Sequence, residues 1–437
     1  MLDPRLPPLR IGLLTHSVNP RGGVVHTLEL ADALHDAGHH VTVFAPAQPG
    51  QSLFRTPRCH VELVPVNDRP ANVADMVASR RAAYLTHLSA MLAEQPFDVL
   101  HAQDGIGGNS LADLCDAGAI EGFVRTVHHL DSFADDRVMQ WQERAFLRAS
   151  QVLCVSQTWC DALQRDFGVS AALVQNGVDL TRYSPRVDAS DAIVAARYGL
   201  KPGAPVVLAV GGIEERKNTL RLLQAFVAFR ASRTDAQLVI AGGASLLDHD
   251  AYARAFRDAL ALSGLRTGPG EAIVITGTVP DAHMPALFRA ADVLSMPSLR
   301  EGFGLVVLEA LASGTPVVAS RIAPFTEYLG ANEALGHCCW ADPFDAASIA
   351  DALERAIAPA HAAALAAATP AVCHRFSWAA SAARHEALYR AHLALASRVP
   401  ASLRVPRPSS GRAEPMDATS PLGPSLSKPL ATHSRSG

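Results

Sequence analysis

The chain has 437 residues, 49% of them hydrophobic and 18% charged, with a formal net charge of −4 and an isoelectric point near 6.5. That length holds two or three domains, and the weakly negative balance excludes a global electrostatic attraction to nucleic acid or to an anionic membrane. Seven cysteines form no C-x-x-C pair and no metal-ligand spacing, which predicts reduced thiols in a cytoplasmic protein. The N-terminal apolar run is too brief for a secretory signal, and no stretch approaches the roughly 18 apolar residues that span a bilayer.

Taken in order, residues 11–15 predict a buried first strand. The turn Asn19-Pro-Arg-Gly-Gly23 follows, then a helix over 24–35 with Gly38 as its stop, then a second strand over 41–45. This is a βαβ unit with Gly22 and Gly23 where such units hold phosphate. The G-x-G-x-x-G fingerprint of dinucleotide binding is missing, and Gly105-Ile-Gly-Gly108 does not complete it, which counts against a dehydrogenase. Strands over 98–102, 124–128 and 152–155 alternate with helices such as 137–148, a spacing that implies a parallel sheet covered on both faces. His128 closes one of these strands, so it or its neighbour His129 faces the crevice at the strand ends.

Residues 181–205 are polar and proline-marked, carry a short helix over 189–198, and predict the connection between two domains. A second alternating series opens with the strand of 205–212. Arg216 and Lys217 then stand at a strand-to-helix loop before a helix over 219–230, a placement that suits a diphosphate, with arginine binding two oxygens and lysine acting as a point charge. Further strands are expected at 237–241, 272–276, 292–296 and 316–319. Asp248-His-Asp250 has the form of a metal-binding D-x-D, but it stands at the start of a helix, where aspartates serve as caps, and no metal is expected. A last helix over 378–397 precedes a tail, 399–437, whose Pro, Ser and Arg content predicts disorder.

The most informative stretch is PSLREGFGLVVLEALASGTPVVAS, residues 297–320. Two carboxylates, Glu301 and Glu309, have seven residues between them. Gly302-Phe303-Gly304 makes a turn that lets backbone approach a ligand, and a helix opens at Leu305 with its free N–H groups outward. Glu309 lies about one turn inside that otherwise apolar helix, where an unpaired carboxylate is costly.

Gly22-Gly23, His128, Glu215-Arg-Lys-Asn218 and the spaced glutamates together resemble the retaining GT-B glycosyltransferases of family four, over residues 9–397. The resemblance implies an α/β architecture of two Rossmann-like domains facing across a cleft. The acceptor domain would span 1–190 together with a crossover helix, 376–397, and the donor domain 191–375, leaving 398–437 as the tail. It implies a nucleotide-diphosphate hexose as donor and a glycan, lipid or small-molecule hydroxyl as acceptor, with no cofactor and no metal. Arg216 and Lys217 would neutralise the departing diphosphate, with amides of Gly22, Gly23 and Phe303 to Leu305 as further donors. Glu309 would hold the ribose and Glu301 the hexose, and His128 would meet the sugar or acceptor near the reacting carbon. Donor-base contacts are implied near 277–280 and acceptor contacts along 102–109 and 129–136. A peripheral membrane contact is open, since many relatives use lipid acceptors. A sugar-nucleotide epimerase, which can share the two-domain plan, and a non-catalytic sugar-nucleotide binder are the alternatives.

Overall fold

The computed structural model describes residues 6–67, 70–243, 250–330 and 338–397. Asp248 and His249 of the D-x-D and the tail from 398 lie outside the described residues. Asp250 begins the helix Asp250–Ser263.

The first half is one parallel sheet of seven strands: β1 (Arg10–Leu14), β2 (His40–Ala47), β3 (His60–Pro65), β4 (Val99–Ala102), β5 (Val124–Val127), β6 (Gln151–Cys154) and β7 (Ala171–Leu173). Their spatial order is 3-2-1-4-5-6-7. β1, β4 and β5 are buried along their length except for Arg10 because helices cover both faces, with His101, Arg125 and Thr126 as buried polar residues within them. The second half repeats the plan with β8 (Val206–Val210), β9 (Gln237–Ala241), β10 (Ile273–Gly277), β11 (Val293–Met296), β12 (Val317–Ser320) and β13 (Cys339–Ala341), in the order 10-9-8-11-12-13. In each sheet the strand order reverses beside the first strand, between β1 and β4 and between β8 and β11. Such reversal points open the crevices where α/β sheets bind ligands.

Most expected boundaries shift by one or two residues, and three of the shifts bear on the site. Thr15 falls just beyond β1, His128 just beyond β5, and the helix expected from 24 begins at Gly22, so Gly22 and Gly23 form its first turn rather than a preceding loop. β3, β7 and β13, together with the long helix Val73–Glu94, escaped the sequence reading.

The final helix, Trp378–Ser397, returns to the first half. Trp378, Ala382 and Tyr389 pack in one core with Ile11, Leu28, Val43 and Val124. The entry to this helix is tight: Val178 bridges to Ser377 in parallel, and a side chain at Gly177 would run into the backbone of Ser377 and Trp378. Separate cores lie on each face of the second sheet, one around Leu208, Leu308 and Phe325, the other around Phe226, Phe229 and Leu353.

Candidate active site

The carboxyl ends of the two sheets enclose a cleft of about 690 Å³. Its first-half wall includes His16, Gly22, Gly23, Gln103, Asp104, Arg125 and His128; its second-half wall includes Gly211, Glu214, Arg216, Lys217, residues 301–306 and Glu309. Gly22, Gly23, His128, Arg216, Lys217, residues 301–305 and Glu309, the individual residues expected at the site, line this one space.

On the second wall, Lys217 and Arg216 leave β8 through a loop held by Asn218. Asn218 adopts a left-handed backbone (φ 59°) and donates from its amide to the Pro297 and Pro343 carbonyls at 3.0 and 2.7 Å. Gly211 lets the Lys217 stem lie across the strand end, since a Cβ there would come within 2.6 Å of Lys217 Cε. The Leu299 N–H donates to the Arg216 carbonyl at 2.9 Å and ties this loop to the one carrying Glu301. Lys217 Nζ donates to Glu301 Oε1 at 2.7 Å, Arg216 to Glu301 Oε2 at 3.0 Å, and the Ser298 hydroxyl to Oε1 at 2.9 Å. Burial alone would raise the Glu301 pKa, but the two cations more than reverse that and hold it at about 2. Burial lowers the Lys217 pKa, with Glu301 opposing. The sequence suggested cations waiting for a diphosphate; the structure pairs both of them with Glu301.

Gly304 opens the helix Leu305–Ala312 in a left-handed conformation (φ 87°), and a Cβ there would meet Phe325 Cε1 at 2.6 Å. Phe303 turns inward and stacks on Tyr328, ring centroids 4.6 Å apart, leaving its backbone to the cleft. Gly302 lies directly under the first half, for a side chain there would strike the His128 carbonyl oxygen. One turn in, Glu309 is 9% exposed. Burial raises its pKa to about 7, Glu29 adds to the rise, and Arg182 and Tyr183 counter it.

On the first wall, Gly22 has open space where a Cβ would stand, and Gly23 would place one 3.7 Å from the His128 ring. His128 Nε2 lies 3.2 Å from Gln103 Oε1, and the ring packs edge-on against His26 at 4.7 Å. Burial and the nearby His26 and Arg125 depress its pKa well below the ordinary range, so the imidazole is neutral. His26 in turn meets Asn176 Oδ1 at 2.8 Å and Trp378 of the returning helix. His129 is more exposed and pairs with Asp131 at 3.0 Å. Thr278 and Val279 line the cleft from the loop beyond β10, and Gln103 to Ile106 and His129, Asp131 and Phe133 line it from the two first-half loops. Glu29, Arg182 and Tyr183 carry no spacing that marks them in the sequence, and Gln103 falls only within the expected acceptor span 102–109. His26 did carry a faint signal, one turn after Gly23 on the same helix.

Two family models match: Glycosyltransferase Family 4 over residues 20–182 and Glycosyl transferases group 1 over 193–369. The phosphatidyl-myo-inositol mannosyltransferase of Mycolicibacterium smegmatis is 31% identical over 75% of this chain and 80% of its own length. The D-inositol 3-phosphate glycosyltransferase of Xylanimonas cellulosilytica is 29% identical over 83% of this chain and 90% of its own. Among solved structures, a sucrose-phosphate synthase from Thermosynechococcus elongatus superposes with a TM-score of 0.71 at 22% identity, covering 88% of this chain and 99% of that one. Anabaena Alr3699/HepE, in complex with UDP and glucose, gives 0.69 at 17% identity, covering 87% and 99%. The fold is thus GT-B, two Rossmann-like domains across a cleft, and the chain belongs to the group 1 glycosyltransferases.

Proposed function

We propose that this enzyme transfers a hexosyl group from a nucleotide-diphosphate sugar to an acceptor hydroxyl with retention of anomeric configuration and without a metal. The observation that carries the reading is the Lys217–Glu301–Arg216 cluster facing the mouth of the helix Leu305–Ala312, with Glu309 inside it. Donor binding inserts a diphosphate between the two cations and the backbone amides of the helix mouth and of Gly22 and Gly23. The negative oxygens take over from Glu301, which turns to the hydroxyls of the hexose. Glu309 accepts from the ribose hydroxyls. The bond from the anomeric carbon to the diphosphate oxygen breaks, and the acceptor oxygen bonds to the same face. The acceptor proton passes to the departing phosphate oxygen. Neutral His128 hydrogen-bonds sugar or acceptor beside the reacting carbon.

Charge develops on the departing diphosphate, so fixed cations and N–H donors lower the barrier. With Lys217 and Arg216 supplying two positive charges, no divalent ion is required. The relatives named for inositol acceptors support a polyol hydroxyl as the recipient, free or on a lipid. The seven cysteines, none of them in a disulfide, support a cytoplasmic setting.

The test is a thermal-shift panel of UDP-, GDP-, ADP- and TDP-hexoses, followed by transfer assays with the stabilising donor in the presence and absence of EDTA. Lys217→Ala should reduce transfer on the order of 100-fold or more while the protein stays folded. EDTA should leave the wild-type rate unchanged. Full activity in Lys217→Ala would refute the assignment, and an isomerised sugar nucleotide from donor alone would favour an epimerase.

A further inference from the structure

His26 lies on the helix Gly22–Asp36 and is fully buried. Its Nδ1 meets Asn176 Oδ1 at 2.8 Å, and a carboxamide oxygen only accepts, so the ring proton sits on that nitrogen. Nε2 is buried with no hydrogen-bond partner. Burial, with His385 close by, lowers the pKa to about 3, so the imidazole is neutral.

The chain passes between the halves twice, outward after β7 and back into the final helix, Trp378–Ser397. The two passages are clamped together: the Val178 N–H donates to the Phe376 carbonyl at 2.9 Å, and Gly177 has no room for a side chain beside Ser377. Asn176 belongs to the outward passage and Trp378 to the return. His26 hydrogen-bonds the first and packs edge-on against the second, with ring centroids 5.4 Å apart. Its third contact is with the cleft wall, where the His128 ring stands edge-on at 4.7 Å. Gln103, which meets His128 Nε2 at 3.2 Å, follows β4 within the first half.

Packing alone does not call for histidine here. A phenylalanine would fill the same place against two rings without burying an unpartnered nitrogen. The imidazole adds a hydrogen bond to one passage while its ring bears on the other passage and on His128. We propose that His26 is a positioning residue that transmits the relative setting of the two halves to His128, so that the imidazole in the cleft takes its working orientation when the halves close. Coupling of this kind is carried by packed side chains and hydrogen bonds, and here it runs from Asn176 and Trp378 through His26 to His128. A role for His128 in transfer rests on the proposed function; the link from the passages to its ring does not.

Two substitutions in the full chain separate the two kinds of contact. His26→Asn keeps an amide nitrogen in the place of Nδ1 and removes the ring, whereas His26→Phe keeps the ring and removes the donor. With the hexose nucleotide that stabilises wild type, each should lower kcat by about 10- to 100-fold and leave the donor KM within about twofold. In a His128→Ala background neither should lower kcat further, because the pathway has lost its end. Additive losses in that background would show that His26 acts through packing at large and would overturn the inference, as would wild-type kcat in either variant. If His26→Asn does not fold, the cycle is run with His26→Phe alone. A readout without turnover keeps this inference apart from the transferase reading. The ring nitrogen resonances of His128, assigned by their loss in His128→Ala, should shift on Asn176→Ala when His26 is present and stay in place when it is replaced by phenylalanine. Equal shifts in both backgrounds, or none in either, overturn the inference. The expected shifts together with no transfer by wild type from any hexose nucleotide would sink the proposed function and leave the relay standing.

Discussion

Glu301 and Glu309 are both buried, and their surroundings drive them in opposite directions. Both lose hydration, but Glu301 meets Lys217 and Arg216 and is held at about 2, whereas Glu309 meets Arg182 weakly enough that burial wins and its pKa reaches about 7. Removing the Glu301 charge strands two cations next to each other, so Glu301→Gln should destabilise the ligand-free enzyme by about 3–5 kcal/mol. On the proposed donor reading the same carboxylate competes with a diphosphate for those cations. A nucleoside diphosphate should therefore raise the melting temperature of Glu301→Gln by more than that of wild type; equal increments would show that Glu301 does not compete. Glu309 has the opposite linkage. Between its ordinary value of 4.5 and about 7 the folded state holds more protons than the unfolded chain, so stability falls as pH rises through that window. The shift corresponds to about 3 kcal/mol. Urea midpoints at pH 5 and pH 8 should reveal this loss in wild type, and Glu309→Gln should flatten it and be the more stable protein at pH 8. Parallel profiles for the two proteins would exclude the assignment.

Among the elements, legibility followed burial and length. β1, β8 and β11 could be read from sequence because a central parallel strand is apolar on both faces, and the helix Leu305–Ala312 because its glycines and apolar run sit together. β3 is an edge strand with half-exposed positions and a buried one alternating irregularly, and β7 and β13 have three residues each, too few for any period to show. The site divides the same way. Glu301, Glu309, Arg216 and Lys217 lie in two short segments whose spacing carries chemistry. Arg182, Tyr183 and Glu29 reach Glu309 from a connection and from a first-half helix, and only the packing of the two halves brings them there. The capture of Lys217 by Glu301 was hidden for a similar reason, since 84 residues and a strand exchange separate them.

Across the whole molecule, the cleft is bounded by contacts that exist only when the halves are together. The helix Gln157–Phe167 in the first half has Ser156 at its N-cap, yet the serine hydroxyl is buried without a partner and caps nothing. Glu327 of the second half takes that role: its two carboxylate oxygens accept from the Gln157 and Thr158 amides at 2.8 and 2.9 Å, and the Thr158 hydroxyl donates to it as well. Nearby, the Trp159 indole donates to the Glu301 carbonyl at 3.2 Å, so the clasp adjoins the residue that holds Lys217 and Arg216. Ser156 stands at the N-cap position of this helix, so a separation of the halves would leave its hydroxyl able to take over the cap. Replacing such a cap removes about 0.5–2 kcal/mol, here from the closed form alone. Apparent ligand affinity scales with the population competent to bind. Glu327→Ala should therefore raise the donor KM by about 2- to 30-fold, and its radius of gyration without donor, measured by small-angle scattering, should exceed that of wild type. Saturating donor should bring the two radii back together. A variant with wild-type dimensions and wild-type donor affinity would show that Glu327 does not govern closure.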